Sequence, residues 1–485
     1  MHRFMKRTIY FLQVLLIFGL LAACSDSDND DSGNTIIDEP DPVSPEMAIN
    51  LCNPYRWSLA SVPADPLLFP EASLMNDVAQ GKNRALLAWY TIDRVFTQRN
   101  SSDAPDYIRN DLDGLSYPYA REVAVNEVFP DRELKDGESS VIPTMNLSFY
   151  PNERGPYNLD ATSVDEYGRL LFPERRWGGI MSKIDKTNFE QAGIKYIQFW
   201  LLDPFMDGEL DNQDGGILYF NLGDVSEDIL KDGLMSYENG LPANGDSTAV
   251  IQSVWGKVPA QTPLVYAFDN TNNGSRIHKD VGFDGLLTAE EFVHPSYAQF
   301  IEKLKRALPA STVASMQEDP FSPINDPASD NYAFYLHTYY DQNKASIIER
   351  YKHYDGTEGN SLSPAEANDG QHQTSRSIPD IEDIDLNFSL NENERYFQYR
   401  IAIVPDSMRV GSNYITDKHV ANVHTRNGHT QVAVWYQFTI PLNQYQKKIG
   451  SIQDFSNIRY VRMFMTGFKG ITHLRFATLG FVCGE

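Results

Sequence analysis

Strict alternation marks the apolar stretches of this chain. Ile197, Phe199 and Leu201 alternate with Tyr196, Gln198 and Trp200, and Leu218, Phe220 and Leu222 alternate with Ile217, Tyr219 and Asn221. In each run one set is fully apolar and the other aromatic or polar, which predicts strands packed on a core by one face. Between them, Asp207 to Gly216 is rich in Asp, Gly and Asn, residues that turn a chain between two strands. The same period recurs where Phe397, Tyr399, Ile401 and Ile403 alternate with Gln398, Arg400 and Ala402, and at Val434, Tyr436, Phe438 and Ile440. Leu86–Ile92, Thr144–Tyr150, Ile458–Phe468 and His473–Val482 read as further strands. Helical spacing is rarer. Tyr297, Phe300, Ile301, Leu304 and Leu308 share one face between Pro295 and Pro309, and Tyr119–Phe129 predicts a shorter helix closed by Pro130. The expected fold is mainly β: a β-sandwich, jelly-roll-like domain with long loops and a few short helices. A transmembrane barrel is not expected, because charges interrupt the best strands and lipid-facing ten-residue runs are too few.

The N-terminus changes the picture. Arg3, Lys6 and Arg7 precede an apolar run from Thr8 to Leu20 that is short for a transmembrane helix. Leu21-Ala22-Ala23-Cys24 then reads as a lipobox, with Cys24 as the lipidated residue; an ordinary signal peptide with an incidental Cys is the alternative. Ser25 to Asp31 and the acidic, Pro-rich stretch to about Pro45 cannot bury a core. The expected organisation is a signal peptide over 1–23, a tether over 24–46 and a folded part over 47–485. The last divides into a subdomain over 47–160 and a sandwich over 161–485 with an insertion over 280–380. The formal charge of −25 argues against nucleic acid and polybasic docking to anionic lipid. With Cys24 lipidated, Cys52 and Cys483 remain, either as a disulfide tying the terminal strands or as two unrelated thiols.

The wording Arg176-Trp177-Gly178-Gly179-Ile180-Met181, then Phe199-Trp200-Leu201-Leu202-Asp203-Pro204-Phe205, then Leu218-Tyr219-Phe220-Asn221-Leu222-Gly223 with Ser226-Glu227-Asp228, resembles the SprA (Sov) family. These are very large outer-membrane proteins of Bacteroidota, the translocon of the type 9 secretion system, needed for gliding in some species. The resemblance runs from about Lys82 almost to the C-terminus. It implies an extramembrane role in, or derived from, that export machinery, in contact with translocon subunits or exported proteins. With the lipobox at Cys24, a lipid-anchored outer-membrane protein on the surface or periplasmic side is expected. The acidic residues after Cys24 resemble the surface-export signal of Bacteroidota lipoproteins. The chain departs from the family pattern at Cys483, where an Arg is expected, which puts the pore activity in doubt. A truncated or split translocon gene is a further reading of the same resemblance.

Two segments have the spacing of a calcium loop. In the first, Asp280, Asp284 and Glu291 occupy positions one, five and twelve, Gly285 supplies the turn at six, and Gly282 leaves position three without a carboxylate. In the second, Asp383, Asp385, Asn387, Asn391 and Glu394 offer oxygens at one, three, five, nine and twelve, but position six is Phe388 rather than Gly. Each is either a structural calcium site or a solvated acidic loop; no other cofactor is expected. No His-Glu-x-x-His or Gly-x-Ser-x-Gly motif is present, and turns account for the Gly178-Gly179 and Gly215-Gly216 pairs, so a non-enzymatic protein is expected. Trp177, Trp200, Tyr219 and Trp435 fall on outward-facing positions. They form either a surface for glycan or protein, as in a glycan-binding surface lipoprotein, or part of the sheet packing.

Overall fold

The computed structural model describes residues 47–98, 101–269, 273–361, 373–376 and 378–484; Cys24, the signal peptide and the tether lie outside them. The strands in chain order are β1 (Met47–Asn50), β2 (Ser58–Leu59), β3 (Ala85–Tyr90), β4 (Met145–Arg154), β5 (Trp177–Lys183), β6 (Ile194–Leu202) and β7 (Gly216–Asp224). They continue as β8 (Val250–Gln252), β9 (Lys257–Pro259), β10 (Arg395–Ile403), β11 (Ile415–His424), β12 (Thr430–Pro441), β13 (Lys447–Ile449), β14 (Tyr460–Thr466) and β15 (Thr472–Cys483). One antiparallel sheet runs β11-β12-β6-β15-β4-β3, with β1 on β15 beyond the end of β4; the other runs β13-β10-β7-β14-β5-β2. Both sheets are open, and together they form the expected sandwich.

The alternation maps directly onto the core. Ile197, Phe199 and Leu201 of β6 meet Leu218, Phe220 and Leu222 of β7 across the sandwich, joined by Ile401, Phe438, Met463 and Phe476. Phe199 stacks on Phe438 at 4.6 Å, meets Phe476 edge-on at 5.5 Å and faces Phe220 of the other sheet at 6.0 Å. Each such ring contributes roughly 1.5–3 kcal/mol by leaving water. Gly178 and Gly179 are not in a turn. They lie inside β5, where a Cβ on Gly178 would stand 2.8 Å from Leu87 Cβ and one on Gly179 2.8 Å from Phe464 Cβ, so only glycine admits these neighbours. Gly215, at φ +73° before β7, does turn the chain.

The outer faces of the sandwich are covered as well. Residues 92–98, 101–129 and 334–354 pack over Trp200, Leu202, Ala433 and Trp435, and the excursion between β7 and β10 packs over Trp177, Tyr219, Tyr396 and Phe464. The division at residue 160 is therefore overturned: β1 to β4 are integral strands of the two sheets. Tyr119–Phe129 forms only one helical turn, Val125–Val128, because Arg121 and the residues before it are held by tertiary contacts to β12 and β15. The helix Pro295–Ala307 forms as its spacing predicts, burying Tyr297, Phe300 and Leu304.

The terminal strands do meet, but their cysteines do not. Asn50 pairs with Gly480 and Met47 with Val482, so Cys52 lies near residue 478 and Cys483 at the opposite end of the ladder. That places them roughly 16 Å apart at ~3.3 Å per residue, beyond the reach of about 7 Å between Cα atoms that a disulfide allows. Cys52 Sγ faces the Phe476 carbonyl and Cys483 Sγ the Ala192 carbonyl. Hydrogen bonding of β1 to β15, and not a Cys52–Cys483 bridge, joins the ends of the domain.

Candidate metal centre

The excursion between β7 and β10 gathers carboxyl groups under the outer face of the second sheet. The Asp280–Glu291 segment makes its sharp turn at Gly285, with φ +72°, and ends in a single helical turn, Thr288–Glu291. Asp284 and Glu291 point inward and are buried. Asp280 points elsewhere: its Oδ1 accepts from the backbone N–H groups of Gly359 and Ser361 at 3.0 and 3.2 Å, and Arg276 lies 3.6 Å away. Two distant segments complete the group. Asp326 and Asp330 come from the loop after residue 319, and Glu358 from the turn after Gly356; all three are buried.

Glu291, Asp330 and Glu358 each bring a carboxylate oxygen within 4.8 Å of the other two. Around them the hydrogen bonds come from neutral donors. The Tyr157 hydroxyl donates to Asp330 Oδ2 at 2.7 Å and accepts from the Phe283 N–H at 2.8 Å. Tyr297 donates to Asp284 Oδ2 at 2.6 Å, the Ala328 N–H to Glu291 Oε2 at 3.0 Å, and Thr288 to both oxygens of Glu358. Glu291 Oε1 and Asp330 Oδ1 are buried with no hydrogen-bond donor. Tyr157 holds φ +60°, an uncommon conformation for a tyrosine, and its hydroxyl bonds keep it there.

Gly282 explains the gap at position three of the loop. A Cβ there would stand 1.7 Å from Asp330 Oδ2 and 2.9 Å from the Tyr157 hydroxyl. The carboxylate missing from the loop is supplied by Asp330, and glycine makes room for it. Electrostatics follow from the crowding. Burial first, then the charges of Asp284 and Asp330, push Glu291 up to about 12; burial and Asp330 push Glu358 up to about 8. Burial raises Asp330 to about 6, and burial with Asp330 holds Asp284 and Asp326 well above the carboxylate range. Among the described residues no Lys or Arg forms an ion pair with any of the five; Lys257 pairs instead with Glu290 at 2.6 Å.

The second predicted loop is organised differently. Asp383 accepts from the N–H groups of Asn387 and Phe388 at 2.9 and 2.8 Å, closing a turn in which Phe388 takes φ +63° without the expected glycine. Asp383 and Asp385 do meet Glu227. However, Asp385 is bound by Arg459 at 2.7 Å and Tyr460 at 2.9 Å, so a protein cation already stands at this cluster. Burial raises Asp385, yet the Arg459 and Tyr460 bonds outweigh it and hold the carboxyl below its ordinary value. Asn387 bonds Asp385, Asn391 bonds the Val225 carbonyl, and Glu394 is taken by Arg462, so these three do not form a ligand set.

The predicted aromatic surface is overturned. Trp177, Trp200, Tyr219 and Trp435 are all buried, at most 6% exposed. Trp435 Nε1 donates to Glu127 Oε1 at 2.9 Å, and Tyr219 stacks on Phe464 at 4.7 Å. They point outward from their sheets, as the alternation predicts, but flanking segments cover them.

Fold and site define a mainly β, two-sheet sandwich with acidic clusters in its long excursion and no described helix long and apolar enough to cross a membrane. Residues 299–485 match the family model SprA_N, described as motility related/secretion protein. Over these residues the chain is similar to an SprA-type N-terminal domain, a similarity that points to motility and secretion. The matched span takes in most of the helix Pro295–Ala307, the loops bearing Asp326, Asp330 and Glu358, and β10 to β15. No curated protein matches the chain.

Proposed function

We propose that this protein is a non-enzymatic outer-membrane lipoprotein, anchored through Cys24, that acts in type 9 secretion or gliding through protein–protein contacts. One observation carries the reading: the similarity to an SprA-type N-terminal domain over residues 299–485. The sandwich supports it by embedding those residues in a single structural unit with the upstream strands, where the wording at Arg176–Met181 and Phe199–Phe205 also resembles that family. Its partners are translocon subunits or exported proteins. A glycan-binding role through Trp177, Trp200, Tyr219 and Trp435 loses its support because those rings are buried.

The test is a pull-down of the tagged protein from gently solubilised outer membranes, with partners identified by mass spectrometry and palmitate labelling of wild type and Cys24→Ser in parallel. Recovery of an SprA-type barrel or its partner proteins, with label lost in Cys24→Ser, is expected. Recovery alone, or together with glycan-uptake lipoproteins, would refute the secretion role; label retained in Cys24→Ser would refute the anchor.

A further inference from the structure

We propose that Glu291, Asp330 and Glu358 ligate one calcium ion, with Asp284 beside it, and that the ion clamps the excursion between β7 and β10 to the sandwich. One carboxylate oxygen from each of the three ligands lies within 4.8 Å of the other two. Ligands on opposite sides of one calcium ion stand at about that separation, since each oxygen sits ~2.3–2.6 Å from the metal. Two oxygens of the cluster, Glu291 Oε1 and Asp330 Oδ1, are buried without a donor, and a buried acceptor left unsatisfied is unfavourable unless a cation meets it. A carboxylate cluster without lysine or arginine is the arrangement that a hard divalent cation compensates.

The donor set selects among metals. It is all oxygen, with no Cys or His among the clustered ligands, which disfavours zinc. Magnesium dehydrates reluctantly and keeps several waters. Here the three carboxyls are buried among protein groups, at most 8% exposed, and not open to a water shell. Calcium accepts carboxylates in irregular geometry and is the better match. The ligands come from three segments, and Tyr157 ties the site to the chain just after β4. The ion would therefore hold together stretches that share few regular hydrogen bonds.

The test uses the purified protein. Calorimetric titration with calcium into chelator-stripped protein should show binding at this site, and the melting temperature should rise by about 3 °C or more between chelator and ~1 mM calcium. Magnesium at the same concentration should give a smaller rise. The double variant Glu291→Gln/Asp330→Asn removes two charges but little volume. It should lose the calcium-dependent rise and melt, in chelator, at or above the temperature of stripped wild type. A calcium-independent wild-type melting temperature, or a double variant that responds as wild type does, would overturn the proposal. If the variant is not recovered folded, terbium replaces calcium in wild type: tyrosine-sensitised emission should appear and be displaced by calcium, because Tyr157 and Tyr297 touch the site. No displaceable emission would overturn the proposal equally.

Discussion

Glu394→Gln tests the reassignment of a predicted calcium ligand to a buried ion pair. Arg462 lies in the middle of β14, fully buried, and donates from Nη1 and Nη2 to the two oxygens of Glu394 at 2.8 Å each. Its Nε donates to Asn221 Oδ1 at 2.9 Å, and Glu394 also accepts from the Ser226 N–H at 2.9 Å. One carboxylate thus neutralises a guanidinium that has no access to water. Removing one partner of a buried pair costs about 3–5 kcal/mol, because the other charge stays buried. Gln keeps the shape and one acceptor, so the lower end, about 3 kcal/mol, is expected. Unfolding entropy near 2.1 cal/mol/K per residue gives about 0.9 kcal/mol/K for about 440 residues, hence a melting temperature lower by about 3 °C. The assay is thermal unfolding with and without chelator, completed by a double-mutant cycle with Arg462→Met. The loss should be the same in both conditions, since both oxygens of Glu394 are spent on Arg462. A loss below about 1 °C, or one that vanishes in chelator, would refute the assignment and restore Glu394 as a metal ligand.

Two further substitutions test other parts of the fold. Trp435→Ala should lower stability by about 3–5 kcal/mol in chemical denaturation, the usual range for deleting a buried tryptophan; wild-type stability would contradict its burial beneath residues 92–98 and 101–129. His473 is buried with Nδ1 2.8 Å from Ser148 Oγ, and burial holds its pKa down at about 4. Between that value and the ordinary value near 6.5 the unfolded chain takes a proton that the folded chain refuses. Its contribution to stability is therefore full above about pH 6.5 and is lost as the pH falls towards about 4. The raised carboxyls of Glu291 and Glu358 give a slope of the opposite sign. The readout is therefore the difference between wild type and His473→Gln in urea unfolding at stepped pH, which should carry the His473 slope. His353, held at about 3 by burial and Lys352, leaves a residual slope of the same sign.

Legibility in the sequence followed the range of the interactions. The strands at β6, β7, β10, β12, β14 and β15 were readable because alternation is a local property, set by which neighbours along the chain face a core. β11 was not, since as an edge strand it is mostly exposed and its polar residues carry no alternation. β5 escaped through its glycines, which read as turn residues until Leu87 and Phe464 are seen against them. In the acidic site, Asp284, Gly285 and Glu291 were legible as a loop. Asp330 and Glu358 were not, and Gly282 was the single local hint of a carboxylate arriving from elsewhere.

By itself the sequence determined the class of fold, the inward face of each main strand, the helix at Pro295–Ala307 and the resemblance to a secretion family. All of these are written in short windows of residue order. Only the tertiary structure decided that outward aromatics are covered, that Cys52 and Cys483 stand at opposite ends of one ladder, and which carboxyls share a site. Those outcomes depend on strand register and on segments far apart along the chain, and a one-dimensional pattern does not encode the distance between two residues that folding alone brings together.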